Sequence, residues 1–260
     1  MSERSAPALK PLKWYRNLAT KKGRLENGAF LVEGERAIDQ IIQNNPGEVL
    51  EVLNTDGSPS HFPQYPHRKL TRSQLDSISA TKTPQGTIAV VRLPLSTYSG
   101  ELPHHPGERI LLLEDVQDPG NVGTLIRTAV AFGFSGIIMT EDCADLFSPK
   151  CVQSSAGTVL TPWTRRTTRY PDLMKQLEQS GYVIIAADID GDAPPTVLQR
   201  HDRQLLALGN EASGLSAELR AAAHHRVSIP MAREKAESLN VAACGAVCMY
   251  LSYCGEHTER

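Results

Sequence analysis

The stretch Arg109–Gly133, RILLLEDVQDPGNVGTLIRTAVAFG, decides the fold class. RILLL is apolar along its whole length, as a strand covered on both faces of a sheet must be. DPGN is a turn signal, and VGTLIRTAVAFG reads as the helix that follows it. Strand, tight loop and helix in that order form the first half of a βαβ unit. Asn121 is expected to cap the helix, with Arg127 six residues further along it.

The same alternation continues downstream. GIIMT, YVIIAADI and QLLALG read as further apolar strands, DLMKQLEQS as a helix, and LNVAACGAVCMYLSY as a long final helix of small residues. Such alternation predicts an α/β domain with a parallel sheet covered on both faces. Ligands of these sheets bind outside the carboxyl ends of the strands. The informative loops are therefore those after LLLED, LALG and VSIP. The first carries Asn121 and, beyond it, Arg127. The second is NEASGLS, in which Asn210 and Glu211 end a strand, Gly214 permits a tight turn and Ser216 can cap the next helix. The third is MAREKAESLN, where Ser238 and Asn240 precede the final helix. Each has a plain alternative: a surface arginine on an amphipathic helix, a polar loop, a helix cap.

Upstream of Arg109, residues 29–91 have the pattern of a smaller α/β unit: strand AFLVEG, helix ERAIDQIIQ, strand EVLEVLN and closing strand GTIAVVRL. LPLSTYSGELPHHPGE is dense in Pro, Gly, Ser and His, and proline cannot donate within a central strand. This places a linker at 94–107 between a domain at 1–93 and one at 108–260. His104 and His105 are expected on its surface.

Taken together the loops resemble one family. NVGTLIR, GNEASGL and IPMAREKAESLNVA resemble, in order and spacing, three signatures of the SpoU/TrmH class of RNA ribose 2′-O-methyltransferases in the SPOUT superfamily. KKGRLENGAFLVEGERA and TKTPQGTIAVV resemble the ribosomal-protein-like substrate-binding domain often attached to these enzymes. The resemblance implies a SPOUT domain whose C-terminal part is threaded into a trefoil knot, a rare topology that periodicity does not reveal. It also implies a homodimer and S-adenosylmethionine as cofactor, held by Leu208, Gly209, Ile229, Met231 and Leu239. Catalytic roles would fall to Asn121, Arg127, Glu211, Ser238 and Asn240, with Asn121 orienting Arg127 or the ribose and Glu211 pairing with an arginine or holding substrate. The sequence departs from the pattern in the middle of NEASGLS and at Ala242, where a serine is common.

The N-terminal domain resembles those of ribosomal RNA enzymes more than the short basic extensions of transfer RNA enzymes, so 23S-type ribosomal RNA is the expected substrate. A transfer RNA methyltransferase and a non-catalytic RNA-binding or ribosome-associated protein are the alternatives. Overall charge is nearly balanced, with 27 basic against 29 acidic residues, so any RNA contact must be local. Arg4, Lys10, Lys13, Arg16, Lys21, Lys22 and Arg24 face a single acid, Glu3, over residues 1–24, and Lys21, Lys22, Arg24 and Arg36 are the expected RNA contacts. Trp14, Tyr15 and Trp163 are the aromatic residues best suited to stack on bases, each with a packing role as the alternative.

Other classes are disfavoured. There is no GxGxxG and no GxxxxGK[ST], so neither a dinucleotide site nor a P-loop is signalled. The five cysteines fit neither a zinc pattern nor a CxxC pair, and Cys244, Cys248 and Cys254 read as small buried helix residues, so no metal is expected. No apolar run reaches the roughly 20 residues of a membrane span, and MSERSAPALKPLKW lacks the apolar centre of a signal peptide, so a cytoplasmic protein is expected.

Overall fold

The computed structural model describes residues 10–56, 61–81 and 85–257. Arg4 and Glu3 of the basic segment lie outside the described residues, as do Lys82, Thr83 and Pro84 of TKTPQG. The chain divides into two compact units, Met1–Pro94 with Asp145–Thr161, and Leu95–Ala144 with Pro162–Arg260.

The first unit begins with helices α1 (Leu12–Asn17) and α2 (Lys21–Asn27). Strand β1 (Ala29–Glu33), helix α3 (Glu35–Asn44), strands β2 (Val49–Thr55) and β3 (His67–Leu70), helix α4 (Arg72–Asp76) and strand β4 (Thr87–Arg92) follow. The sheet order is β1-β4-β2-β3, antiparallel except for the β2–β3 pair. The short polar strand β3, HRKL, carries no apolar alternation and was invisible to the sequence pattern. Leu18, Leu31, Leu53, Leu75 and Ile88 form the core with the ring of Tyr15, which is fully buried. Tyr15 is thereby a packing residue and unavailable for stacking on bases. Its hydroxyl donates to Glu51 at 2.7 Å, and burial together with that carboxylate pushes the phenol up to about 12.

The second unit starts with β5 (Arg109–Leu113), α5 (Pro119–Ala131) and β6 (Gly136–Met139). The chain then runs through α6 (Pro149–Ser154), which belongs to the first unit. It re-enters the second unit at β7 (Trp163–Arg166) and continues as α7 (Tyr170–Gln179), β8 (Val183–Ala187), β9 (Gln204–Leu208), α8 (Ala217–Ala222), β10 (His225–Val227) and α9 (Val241–His257). All six strands are parallel, in the order β10-β8-β9-β5-β6-β7. The α/β class, with a parallel sheet and a smaller mixed one, is as expected. Strict strand–helix alternation is not: β6 and β7 are joined by residues packed in the other unit. β7, WTRR, is hidden from periodicity because its arginines are buried by bonding main-chain carbonyls. Arg165 Nε donates to Glu101 O at 2.5 Å, and Arg166 donates to Ala144 O at 3.1 Å, Cys143 O at 2.6 Å and Glu141 O at 2.5 Å.

Residues 145–161, which the cut at 94–107 assigns to the second domain, are held in the first unit by specific contacts. Phe147 packs on Phe30 with ring centroids 4.9 Å apart, and both are buried. Asp145 meets Arg24 at 2.5 Å, and Arg24 also donates to Leu18 O and Ala19 O. Arg24 is only 3% exposed, so the expectation that it contacts RNA is corrected: its guanidinium is spent inside the protein. The proline-rich stretch after Pro94 is likewise fixed rather than a free tether. Within the second unit, Trp163 Nε1 donates to Pro106 O at 2.8 Å and Tyr182 Oη to Gly107 O. His104 and His105 are exposed. Among the described residues no helix is long and apolar enough to cross a membrane.

Candidate functional site

The carboxyl ends of β5, β9 and β10 carry the loops that the sequence singles out, and the loop after β8, not singled out, lies beside them. After β5, Asp118 rather than Asn121 caps α5: its Oδ1 accepts from Gly120 N at 2.6 Å and Asn121 N at 3.1 Å, with Pro119 at the first helical position. This corrects the expected cap. It also leaves the Asn121 side chain free to reach across the loops, where its Nδ2 donates to Glu211 Oε1 at 2.9 Å and its Oδ1 accepts from Asn240 Nδ2 at 3.1 Å. Asn240 Oδ1 in turn accepts from Ala242 N and Ala243 N, capping α9.

Among the described residues Glu211 pairs with no arginine. Its carboxylate accepts from Gln117 N and Asp118 N, both at 3.2 Å, as well as from Asn121. Partial burial raises its pKa, but the hydrogen bonds from Asn121 and the backbone amides outweigh this and hold the carboxyl below its ordinary value. The three signature loops are thus joined by one chain, from Asn240 to Asn121 to Glu211.

The loop after β9 is closed on itself by paired backbone bonds of 3.0 Å between Asn210 and Gly214. Gly209 faces that turn so closely that a Cβ there would lie 2.3 Å from Gly214 C, so no larger residue fits. The network beneath was not read from the sequence. Asn210 Nδ2 donates to Asp115 O at 2.8 Å, and Asp115 has a positive φ of 54° with its carboxylate bonded to Thr140 Oγ1 at 2.5 Å. The buried Glu114 accepts from Ser216 N, Ser216 Oγ and Tyr170 Oη. The available signal was the ED pair ending an otherwise apolar strand, since buried carboxylates require partners. Ser216 caps α8 as expected.

The loops after β8, β9 and β10 line a cavity of ≈ 520 Å³, to which the loop after β5 contributes no lining residue. Leu208, Gly209, Ile229, Met231 and Leu239 all line it, as do Glu211 and Ser238. Asp188, Arg220 and Glu237 also line it and were not singled out from sequence. Cys244 reaches the same cavity from α9, whereas Cys248 is fully buried behind it. Arg127 stands apart. It is exposed on α5, and among the described residues it has neither a hydrogen bond to Asn121 nor an ion pair. Lys21, Lys22 and Arg36 are exposed on the first unit, Lys22 loosely paired with Glu26 at 3.7 Å. Among the described residues no group of three or more His, Cys, Asp or Glu could hold a metal.

The family model of the SpoU rRNA methylases matches residues 108–250. The chain belongs to the SpoU rRNA methylase family. A second model, the MRM3-like substrate binding domain, matches residues 10–89. The chain is 30% identical over 243 residues to the 23S rRNA (guanosine(2553)-2′-O)-methyltransferase RlmP of Bacillus subtilis, covering 92% of this chain and 94% of that one. It is 28% identical to the 23S rRNA (uridine(2479)-2′-O)-methyltransferase of Streptomyces viridochromogenes, covering 91% and 86%. The crystal structure of the SpoU methyltransferase AviRb from the same organism, in complex with AdoMet, superposes with a TM-score of 0.83 at 26% identity, over 96% of this SpoU chain and 98% of that one.

Proposed function

We propose that this SpoU family member transfers a methyl group from S-adenosylmethionine to a ribose 2′-hydroxyl of 23S-type ribosomal RNA. The observation that carries the reading is that the signature loops after β9 and β10 line one cavity while the third, after β5, is tied to both through Asn121, which bonds Glu211 and Asn240. The ribosomal RNA specificity of the relatives and the substrate-binding domain at residues 10–89 support the choice of RNA.

The cavity fits the cofactor. Its volume lies within the range of about 300–1,000 Å³ usual for small-molecule sites. Leu208, Leu215, Ile229, Met231 and Leu239 offer an apolar wall for the adenine. Three carboxylates against one guanidinium around the rim suit a ligand carrying a sulfonium charge. Leu208, Gly209, Ile229, Met231 and Leu239 are the residues that would hold it. When bound, it supplies an electrophilic methyl group on a positively charged sulfur.

The residues of the chain position the acceptor. Alignment of the reacting atoms can supply up to roughly 7–11 kcal/mol of a barrier. Glu211 is unsuited to remove the ribose proton, because three donors already occupy its carboxylate and favour its charged form. Together with Asn121 and Asn240 it fixes the loops, and Ser238 shapes the cavity wall. A guanidinium is a poor base, so Arg127 acts as a donor to the developing alkoxide or the adjacent phosphate, and the 2′-hydroxyl proton leaves to solvent water. Such a donor contributes about 2.7–4 kcal/mol. RNA approaches through the exposed cations Lys21, Lys22 and Arg36.

A homodimer belongs to this reading. α9 exposes Val247 and Tyr250, and the Tyr250 ring meets Phe132 at 5.9 Å, giving an apolar face on α5 and α9, the pair that also carries exposed Arg127. A second copy covering that face would bring polar groups to Arg127. The trefoil threading of the C-terminal segment is part of the same proposal, supported by the way residues 208–215 and 227–241 close on one cavity. A cytoplasmic location follows from the substrate.

The deciding experiment is transfer of radiolabelled methyl from S-adenosylmethionine to deproteinised ribosomal RNA, transfer RNA and assembled ribosomal particles, with Arg127→Ala alongside. Ribose-located label on ribosomal RNA or particles, reduced about 100- to 1,000-fold in the variant, is expected. Label on transfer RNA alone would overturn the substrate assignment, and no transfer to any of the three would overturn the activity.

A further inference from the structure

Among the described residues that line the cavity Arg220 is the only guanidinium, and it sits beside a buried carboxylate. Its Nε lies 3.2 Å from Asp188 Oδ2. The Asp188 side chain is 4% exposed, whereas that of Arg220 is 38% exposed. Asp188 directly follows β8 and is itself fixed: its Oδ1 accepts from Asp190 N at 3.2 Å, its backbone N donates to Val227 O at 3.0 Å, and Arg226 approaches its Oδ2 at 3.8 Å. This buried carboxylate faces two arginines as ion partners, Arg220 through its Nε edge without a hydrogen bond, and the terminal nitrogens of Arg220 are not consumed by it. Those nitrogens border the Gly214 turn, where an added Cβ would lie 3.2 Å from Arg220 Nη2.

The other charges lining the cavity are all acidic: Asp188, Glu211 and Glu237. S-adenosylmethionine carries one anionic group, the α-carboxylate of its methionyl end. Apart from Arg220 the lining residues are apolar, neutral polar or acidic, so that group has one cation to meet, and a carboxylate and a guanidinium match as planar, two-pronged partners. We infer that Arg220 anchors the cofactor's α-carboxylate and that Asp188 is the positioning residue that holds it in place. This rests on the cofactor reading above and adds to it a residue that distinguishes the cofactor from nucleosides lacking an amino-acid carboxylate.

The test is isothermal titration of the full chain with three ligands: S-adenosylhomocysteine, its decarboxylated analogue and 5′-methylthioadenosine, which lacks the aminoacyl group. The wild type is expected to bind S-adenosylhomocysteine at least about tenfold more tightly than the decarboxylated analogue, the gap that one charge-assisted contact gives. In Arg220→Met, which keeps the apolar stem, the gap should collapse to within about twofold while methylthioadenosine affinity is unchanged, and Arg220→Lys should restore part of it. If Arg220→Met fails to fold because Asp188 is left uncompensated, the double variant Asp188→Asn/Arg220→Met removes both charges and should show the same collapse. A wild type without the gap, or a variant that keeps it, overturns the assignment while leaving the cofactor reading intact. A wild type that binds none of the three overturns both.

Discussion

Replacing Gly245 tests whether α9 is seated as described, because two opposing effects decide the sign. A Cβ at residue 245 would lie 2.4 Å from Leu125 Cδ2 and 2.8 Å from Leu208 Cδ1. Carbon atoms rest at about 3.5–4.0 Å, so these leucines would have to retreat by roughly 1 Å. Both are buried, Leu125 in the face of α5 and Leu208 at the end of β9, in an interior with little slack. Overpacking of this kind costs about 1–3 kcal/mol. Alanine in mid-helix returns about 0.8–1.0 kcal/mol over glycine, so the net is a destabilisation of up to about 2 kcal/mol. Leu208 also lines the cavity, so its displacement reaches the cofactor. Gly245→Ala is therefore expected to lower the urea midpoint and to weaken S-adenosylhomocysteine about fivefold, near 1 kcal/mol. A variant about 1 kcal/mol more stable than wild type, with unchanged ligand affinity, would show that propensity alone acts at this position and that α9 does not press on Leu125 and Leu208.

Three further outcomes are expected. Glu211→Gln should reduce methyl transfer while retaining the fold, because an amide nitrogen would then face a backbone N–H or the Asn121 amide; the stability cost, about 1 kcal/mol, is modest because the side chain is exposed. Since the folded pKa of Glu211 is depressed, its contribution is present above the unfolded value of about 4.3 and is lost as pH falls through the folded one, so the gap between wild type and variant should be widest at pH 7 and shrink progressively as pH falls below about 4.3. Phe147→Ala should cost about 3–5 kcal/mol and increase hydrogen exchange in β1, where Phe30 lies; loss of protection confined to β5 and β6 would contradict the placement of residues 145–161. Tyr15, with its phenol raised to about 12, contributes stability that is full below about pH 10 and lost as pH rises through the folded value, so alkaline unfolding should be less steep over that window in Tyr15→Phe. Equal steepness would show that Tyr15 does not govern it.

What was legible in the sequence was local or periodic. RILLL and QLLAL declare buried parallel strands by composition, Ser216 reveals itself as a cap by following the tight turn at Gly214, and the three signature loops are continuous strings. The features missed were polar strands and long-range pairings. β7 and β3 have little apolar pattern because arginine–carbonyl bonds or an edge position replace apolar contact there. The Asn121–Glu211 bond spans 90 positions and the Arg24–Asp145 pair 121, and neither separation leaves a trace in one sequence. Arg24 and Lys22 are equivalent in the string and opposite in the fold: one is spent inside the first unit and the other stands in solvent.

That distinction bears on how the site divides its work. A polar residue already saturated by its own protein has little capacity left for a substrate, whereas one held in position with open donors retains it. Asn121, Glu211 and Asn240 satisfy one another, so their contribution is to fix three loops that come from distant parts of the chain. Arg127 and Arg220 are the cations with open donors, the first exposed on α5 and the second aimed by Asp188 at the cavity. In the reading proposed above, Arg127 serves the acceptor oxygen and Arg220 the carboxylate end of the cofactor. Rigid anchors between them make the distance from sulfur to oxygen a property of the fold, so loss of an anchor should lower turnover more than it weakens either ligand.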